Sequence, residues 1–427
     1  MLKQIKSFLL NKLQQEKHFI PGETWIKYSG PVFTINEYIA AIESILKGWF
    51  ILGEDGRKFE LEFSQYMGQK RGVFVNSGSS ANLLMVHAAK EYFKVRRLIT
   101  PVVCFPTTLN PLLQLGIEPE FIDVDLPSLN PSLEQAEKRM TIADGIIFAH
   151  VLGNPPNLAQ LLQFNKGIFL EDACDALGSF YQGQKLGSFG ELSTCSFFPA
   201  HHMTTLEGGF VATSNPKLER LVRSLRDWGR ACFCNEKKPG DVTCGTACSS
   251  RFANWLHDGQ NSVPYDHRYV FSNIGYNLKP LELQAAIGLQ QIKKLDRFGE
   301  DRRRNFAALY KIFKPYEKYF MLPQATPGSD PCWFGFMLLV REDAPFNRTK
   351  FAQFLEAHKI QTRHYFAGNI LYNPGYRHLA PKGNLKKKFP NADFATRASL
   401  FLGTYSGITQ KKLDYIESVV YDFMQGV

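Results

Sequence analysis

From residue 72 onward, short apolar runs alternate with stretches in which apolar residues recur every three or four positions. Gly72-Val73-Phe74-Val75, Leu98-Ile99, Phe121-Ile122-Asp123-Val124, Gly145 to Val151 and Gly167 to Leu170 read as buried strands bounded by turn residues. Between them, Ser80 to Lys90 carries Leu83, Leu84 and His87 at helical spacing. Asn215 is placed to cap a helix running to Trp228, with Leu218, Leu221, Val222 and Leu225 on one face. Another helix covers Leu281 to Leu295 through Ala285, Leu289 and Ile292. Strands alternating with helices predict an α/β fold, a mostly parallel central sheet with helices on both faces. After about residue 300 the pattern resets. Helices near 303–313, 349–358 and 410–424, with a strand at 334–340, predict a smaller C-terminal α+β domain. The expected organisation is an N-terminal helical segment over 1–21, a large domain over 22–296 and a small domain over 297–427. A cysteine-rich stretch at about 231–251 breaks the regular pattern and reads as an insertion into the large domain.

Composition narrows the class. In 427 residues, 35 Phe and 17 Tyr supply ample core and exclude a disordered chain. The first twenty residues carry only short apolar runs broken by charge, too polar for a signal peptide or a membrane span. No other stretch reaches about 18 uncharged apolar residues, so a cytoplasmic chain with no membrane segment is expected. Fifty basic against forty acidic residues leave a formal charge of +10, compatible with an anionic substrate. The basic runs Arg302 to Arg304 and Lys386 to Lys388 are not interleaved with aromatics, and no nucleic-acid motif accompanies them. Nucleic acid is therefore not an expected partner.

Three stretches carry chemistry. Asn76-Ser77-Gly78-Ser79-Ser80-Ala81 follows a strand and opens a helix, where small residues, hydroxyls and a helix N-terminus suit an anion; a plain turn and N-cap would look the same. Glu171-Asp172-Ala173-Cys174-Asp175 ends a strand, where ligands bind in parallel sheets, although a solvated loop would read alike. Ser196 to Gly209 places His201 and His202 between a strand-like run and a flexible Gly-Gly. Adjacent side chains diverge, so zinc held by this pair is disfavoured.

In this order, the pieces resemble the DegT-type family of sugar aminotransferases, which are fold-type I enzymes using pyridoxal phosphate. The resemblance runs from about Gly22 to the C-terminus. It rests on NSGSSA, PVVCFPTTLNP at 101–111, EDACDALGS at 171–179, SFFPAHHMTTLEGG at 196–209 and GYNLKPLELQAAIGLQQ at 275–291. It implies that Gly78, Ser79, Ser80 and Ser196 hold the cofactor phosphate and that Phe105 stacks on the pyridine ring. It also implies that Asp172 pairs with the pyridinium nitrogen, keeping the ring an electron sink. Asn277 matches a residue that reaches the phosphate of a neighbouring subunit, which implies a homodimer. Asp175 is a candidate for the ring hydroxyl.

One departure redirects the function. The family places its Schiff-base lysine five residues after the serine matching Ser196, and that position is His201. No lysine lies between Lys185 and Lys217. Imidazole cannot anchor an aldehyde cofactor covalently, but it can carry protons near neutral pH. The chain is thus suited to hold pyridoxamine phosphate (PMP) non-covalently, with His201 as the catalytic base and His202 as the fallback. This pattern is similar to the sugar 3-dehydratases of the family. One kind acts on GDP-4-keto-6-deoxymannose without a second cofactor. The other acts on CDP-4-keto-6-deoxyglucose and carries a [2Fe–2S] cluster fed by a reductase.

The cysteines bear on that choice. From Cys174 there are 57 intervening residues to Cys232, one to Cys234 and nine to Cys244, the last spacing two longer than the family pattern. The resemblance implies a [2Fe–2S] cluster on Cys174, Cys232, Cys234 and Cys244, with Cys248 competing for the fourth place. Zinc on Cys232, Cys234, Cys244 and Cys248 fits the local spacing too. The implied function is removal of the C3 hydroxyl of CDP-4-keto-6-deoxyglucose on the route to 3,6-dideoxyhexoses of surface polysaccharide. The implied electron donor is an NADH-dependent flavin iron–sulfur reductase. The alternatives are a cluster-free dehydratase of the GDP-sugar and a non-catalytic, zinc-stapled relative.

Overall fold

The computed structural model describes residues 2–14, 18–232 and 250–427. Seven strands form the central sheet: β1 (Arg71–Val75), β2 (Arg97–Pro101), β3 (Glu118–Ile122), β4 (Gly145–Ala149), β5 (Ile168–Asp172), β6 (Leu192–Ser196) and β7 (Gly209–Thr213). Their spatial order is β1-β7-β6-β5-β4-β2-β3. The run from β6 to β3 is parallel; β7 lies antiparallel between β1 and β6. All five residues of β5, β6 and β7 are buried, as expected of a sheet covered on both faces.

The Gly-Gly after the histidines is not a flexible joint. Gly209 begins β7 and pairs with Ser196, and a Cβ on it would lie 2.2 Å from the Ser77 carbonyl oxygen. The close backbone approach is what requires glycine there.

Three helices matter most for the large domain: α1 (Glu54–Tyr66), α2 (Gly78–Phe93) and α3 (Pro216–Arg226). Asn215 caps α3 by accepting from the Lys217 amide at 2.9 Å, and Pro216 sits at the first turn where its missing N–H costs nothing. Glu60 of α1 joins these elements. Its Oε1 accepts from the Phe74 amide and from Arg226 Nη1, both at 2.9 Å, and its Oε2 lies 3.0 Å from Arg223 Nη2. Glu60 and Arg226 are buried. Glu60→Gln is expected to destabilise the fold by about 2–3 kcal/mol, because it leaves buried guanidinium charge short of a partner. An unchanged thermal midpoint would show that Glu219 and Asp227, which also pair with these arginines, suffice without it.

A long helix, α4 (Leu295–Phe313), leads into the C-terminal part. There β8 (Phe320–Met321), β9 (Gly335–Val340) and β10 (Ser399–Gly403) form an antiparallel sheet in the order β8-β9-β10. Phe313, Phe320, Phe336, Phe351 and Phe423 build its core. The chain near Ile26 joins this part rather than the large sheet: Ile26 bridges Ile360 in parallel and packs in the same core. The basic run at 302–304 is not a charged face. Arg302 is buried, Arg303 pairs with Asp330 and Arg304 with Asp301, each at 2.7 Å.

Main-chain bonds cross between the two parts. The Ala367 and Ile370 amides donate to the carbonyls of Cys104 and Val102 at 3.0 and 2.9 Å. Asp123, just beyond β3, accepts from the Asn391 and Ala392 amides at 3.0 and 2.8 Å.

Residues 250–264, which follow the cysteine-rich stretch, form an exposed two-stranded hairpin of Asn254–Asp258 and Asn261–Pro264. Among the described residues, no helix is long and apolar enough to cross a membrane.

Candidate active site

The predicted residues gather at the C-terminal edge of the parallel strands, where open α/β sheets bind ligands. Successive residues of a strand face opposite sides, and the end of β5 uses both. Glu171 points to one side and is fully buried, accepting from the amides of Gly187, Phe189 and Gly190 at 2.8, 2.6 and 2.6 Å and meeting His150 Nε2 at 3.0 Å. It holds the 187–190 turn. Asp172 faces the other side, also buried, so this stretch is not the solvated loop its composition allows.

Asp172 Oδ2 accepts from Asn82 Nδ2 at 2.8 Å and Thr108 Oγ1 at 2.7 Å, and its Oδ1 accepts from the Cys174 amide at 3.2 Å. Asn82 is fixed in turn by Thr194 Oγ1 at 2.6 Å. The carboxylate is thus locked in orientation, with one oxygen doubly bonded and the other holding a single weak contact. The sequence reading missed Asn82, Thr108 and Thr194. The signal for Asn82 was a polar residue on the inner, apolar face of α2, beside Ala81 and Met85.

The first turn of α2 meets the end of β6. Ser77 caps α2, its Oγ accepting from the Ser80 amide at 3.1 Å. A Cβ on Gly78 would fall 2.5 Å from Ser196 Cβ and 2.7 Å from its Oγ. Gly78, Ser80 and Ser196 are therefore brought together at a helix N-terminus, and Ser79 is exposed beside them. A small, hydroxyl-lined cradle at positive helix dipole ends fits a phosphate. Phe105 precedes the helix Pro106–Gln114, its ring half exposed and edge-on to Phe366 at 5.5 Å. An exposed aromatic face and a locked carboxylate beside such a cradle fit a pyridine ring bearing a phosphate.

The two histidines separate clearly. His202 is buried, its Nε2 2.7 Å from the Cys332 carbonyl oxygen. Burial and then the Arg302 charge hold its imidazole well below the usual pKa, so it stays neutral. His201 lies at the edge of the site, its ring 5.4 Å from that of Phe334 and its Nδ1 3.3 Å from Asp175 Oδ1. Arg302 reaches the His201 carbonyl oxygen at 3.4 Å. Asp175 is buried, and burial raises its carboxyl pKa, partly offset by His201. Tyr365 is buried close to Asp175, Cys104 and Asp172, which with desolvation push its phenol well up and keep it protonated.

Asn277 is exposed, accepting from Lys279 Nζ at 2.7 Å, and the next residue's carbonyl accepts from the Asn76 amide at 3.0 Å. It lies next to the phosphate-cradle loop and to exposed Trp228, whose ring Lys279 Nζ covers at 3.1 Å. Of the predicted cluster ligands, Cys174 follows β5 directly and Cys232 follows the bridge between Arg230 and Phe271; both are half-buried, whereas Cys104, Cys195 and Cys332 are buried. Cys234, Cys244 and the competitor Cys248 lie outside the described residues. Among the described residues, no three His, Cys, Asp or Glu side chains form a metal-holding group.

Comparison with known proteins agrees with this geometry. A protein named dTDP-4-dehydro-2,6-dideoxy-D-glucose 3-dehydratase from Saccharopolyspora spinosa is 38% identical over 96% of this chain and 89% of its own length. The lipopolysaccharide biosynthesis protein RfbH of Salmonella typhimurium is 36% identical over 99% of this chain and 97% of its own. The solved structure of an E. coli GDP-4-keto-6-deoxy-D-mannose-3-dehydratase with bound hydrated PLP superposes with a TM-score of 0.79 at 29% identity, covering 92% of this chain and 99% of that one. The architecture is that of fold-type I PLP-dependent aminotransferase-like proteins. With a family match over residues 34–421, the chain belongs to the DegT/DnrJ/EryC1/StrS aminotransferase family.

Proposed function

We propose that this chain is a sugar-nucleotide 3-dehydratase that uses pyridoxamine phosphate. The observation that carries the reading is His201 at the family's lysine position, edge-exposed and opposed by Asp175, in a site whose cofactor cradle is otherwise complete. The names of its relatives point the same way: two of the proteins above are sugar 3-dehydratases.

Gly78, Ser79, Ser80 and Ser196 would hold the phosphate, Phe105 the ring face and Asp172 the ring nitrogen. When bound, pyridoxamine phosphate supplies an amine that condenses with the C4 ketone of the sugar and a ring that accepts an electron pair. His201 Nε2 takes the proton from the cofactor's C4′ carbon and, once charged, donates to the departing C3 hydroxyl. His202, neutral and tied to the Cys332 carbonyl, leaves this work to its neighbour. Asn277 and the exposed apolar residues Trp49, Phe50, Ile51 and Leu281 support a homodimer in which Asn277 reaches the neighbouring phosphate.

Cys174, Cys232, Cys234 and Cys244 would hold a [2Fe–2S] cluster, which would supply electrons one at a time from an NADH-dependent flavin iron–sulfur reductase. The partial exposure of Cys174 and Cys232, unlike the buried Cys104, Cys195 and Cys332, is compatible with this. The resemblance to the cluster-bearing dehydratases points to CDP-4-keto-6-deoxyglucose as substrate; the dTDP- and GDP-linked sugars are the competitors to assay beside it.

Metal analysis on protein purified without air tests the cluster. About two irons and two acid-labile sulfides per chain are expected, with both lost in Cys174→Ser. Zinc alone, or no metal, would overturn the cluster and leave a reductase-independent dehydratase.

A further inference from the structure

The pairing of His201 with Asp175 has a use of its own. His201 Nδ1 is sealed from solvent and has no well-aligned hydrogen-bond partner; its close acceptor is Asp175 Oδ1 at 3.3 Å, slightly long and off-axis. A buried ring nitrogen left unpartnered is costly, and hydrogen bonds at reactive centres are often loose until the site is loaded. Asp175 matches that need. It is 6% exposed and forms no other side-chain hydrogen bond among the described residues. It stands in the turn after β5, three residues past Asp172, where the Ala176 amide donates to the Ala173 carbonyl at 3.0 Å and closes the backbone around it. The backbone of His201 is fixed from the other side, because Arg302 bonds its carbonyl at 3.4 Å while bonding those of Trp333 and Phe334 at 3.2 Å.

We propose that Asp175 is the positioning residue of His201, accepting the Nδ1 proton so that Nε2, on the opposite edge of the ring, carries the lone pair. The inference rests on the reading of His201 as the base. Which imidazole nitrogen bears the proton is set by the bond the other makes, and an acceptor-only carboxylate admits one answer. An amide in its place can also donate, which stabilises the wrong tautomer. Asp175 also steadies the imidazolium formed after proton removal, which suits His201 to give the proton back.

The test uses the full chain reconstituted with pyridoxamine phosphate and labelled with 15N at histidine. The His201 resonance is assigned by its absence in His201→Asn. The wild-type protein is expected to show an Nδ1–H, Nε2-unprotonated imidazole, a result that needs no Asp175 variant. Asp175→Asn is expected to move the resonance toward the Nε2–H form and to lower kcat about 100-fold or more, with KM within about threefold. Asp175→Glu is expected to restore the tautomer and part of kcat. An Nε2–H tautomer in the wild type would overturn the proposal. So would an unmoved tautomer in Asp175→Asn, which would assign the Nδ1 proton to a water in the small cavity lined by His201, His202 and Ser406. If His201→Asn keeps hydrogen exchange at C4′, the base assignment itself fails; if it loses exchange while Asp175→Asn behaves as wild type, the positioning role alone fails.

Discussion

His201→Asn is expected to lower the dehydration rate by about 1,000-fold or more while pyridoxamine phosphate remains bound. Asparagine preserves size and a polar tip near Asp175 but cannot accept a proton at neutral pH. The neighbouring imidazole offers no rescue. Reaching the cleft would require His202 to leave the Cys332 carbonyl, and burial already disfavours its charged form. The loss should appear in kcat and kcat/KM together, the pattern of a group acting in the transition state. Two measurements check it: product formed from the 4-keto sugar nucleotide, and solvent hydrogen exchange at C4′. Exchange at the wild-type rate would remove His201 from the mechanism.

Asp172→Asn is expected to weaken cofactor retention by about 10- to 100-fold, the worth of one hydrogen bond to a charged group. It is expected to slow turnover further, because a neutral amide no longer keeps the ring nitrogen protonated. The substitution is informative because most of the surroundings tolerate it. Asn82 Nδ2 and Thr108 Oγ1 can both still donate to an amide oxygen in place of Oδ2, so besides the charge only the weaker bond from the Cys174 amide to Oδ1, at 3.2 Å, is lost. Titration of the apoprotein with pyridoxamine phosphate, followed by absorbance, reads the first effect. An unchanged affinity would show that the phosphate cradle carries binding by itself.

Much of this was legible in the sequence, for local reasons. The five strands expected from residue 72 correspond to β1 through β5, since strands of a sheet covered on both faces write themselves as short apolar runs; the edge strand β3, only partly buried, begins three residues earlier than its apolar run. Asn215-Pro216 marks the start of α3 because both signals act within one turn. His201 stood out because lysine was missing from a fixed offset. What was not legible depends on partners far away in the chain. Glu171 and Asp172 look alike in sequence; three amides from the 187–190 turn make one structural, and Asn82 with Thr108 aim the other into the site. Arg302 stands in a run of three arginines, and nothing in the run marks it as the one buried against the carbonyls of Trp333 and Phe334. Nothing around Ile26 announces that it pairs with Ile360. The opposition of His201 and Asp175, 26 positions apart, appears only once β5 and the loop after β6 share one sheet edge.

The bonds that run from Ala367, Ile370, Asn391 and Ala392 to Cys104, Val102 and Asp123 have a consequence for motion. Many two-part enzymes admit substrate by swinging one part away from the other about a hinge. Here such a swing along this seam would break the two main-chain hydrogen bonds that follow Phe366, the ring that abuts Phe105, and the two that the Asp123 carboxylate accepts. Entry and exit are thereby left to side chains and loops at the open rim. On the proposed function, the sugar nucleotide is then expected to meet a preformed mould and not a closing jaw.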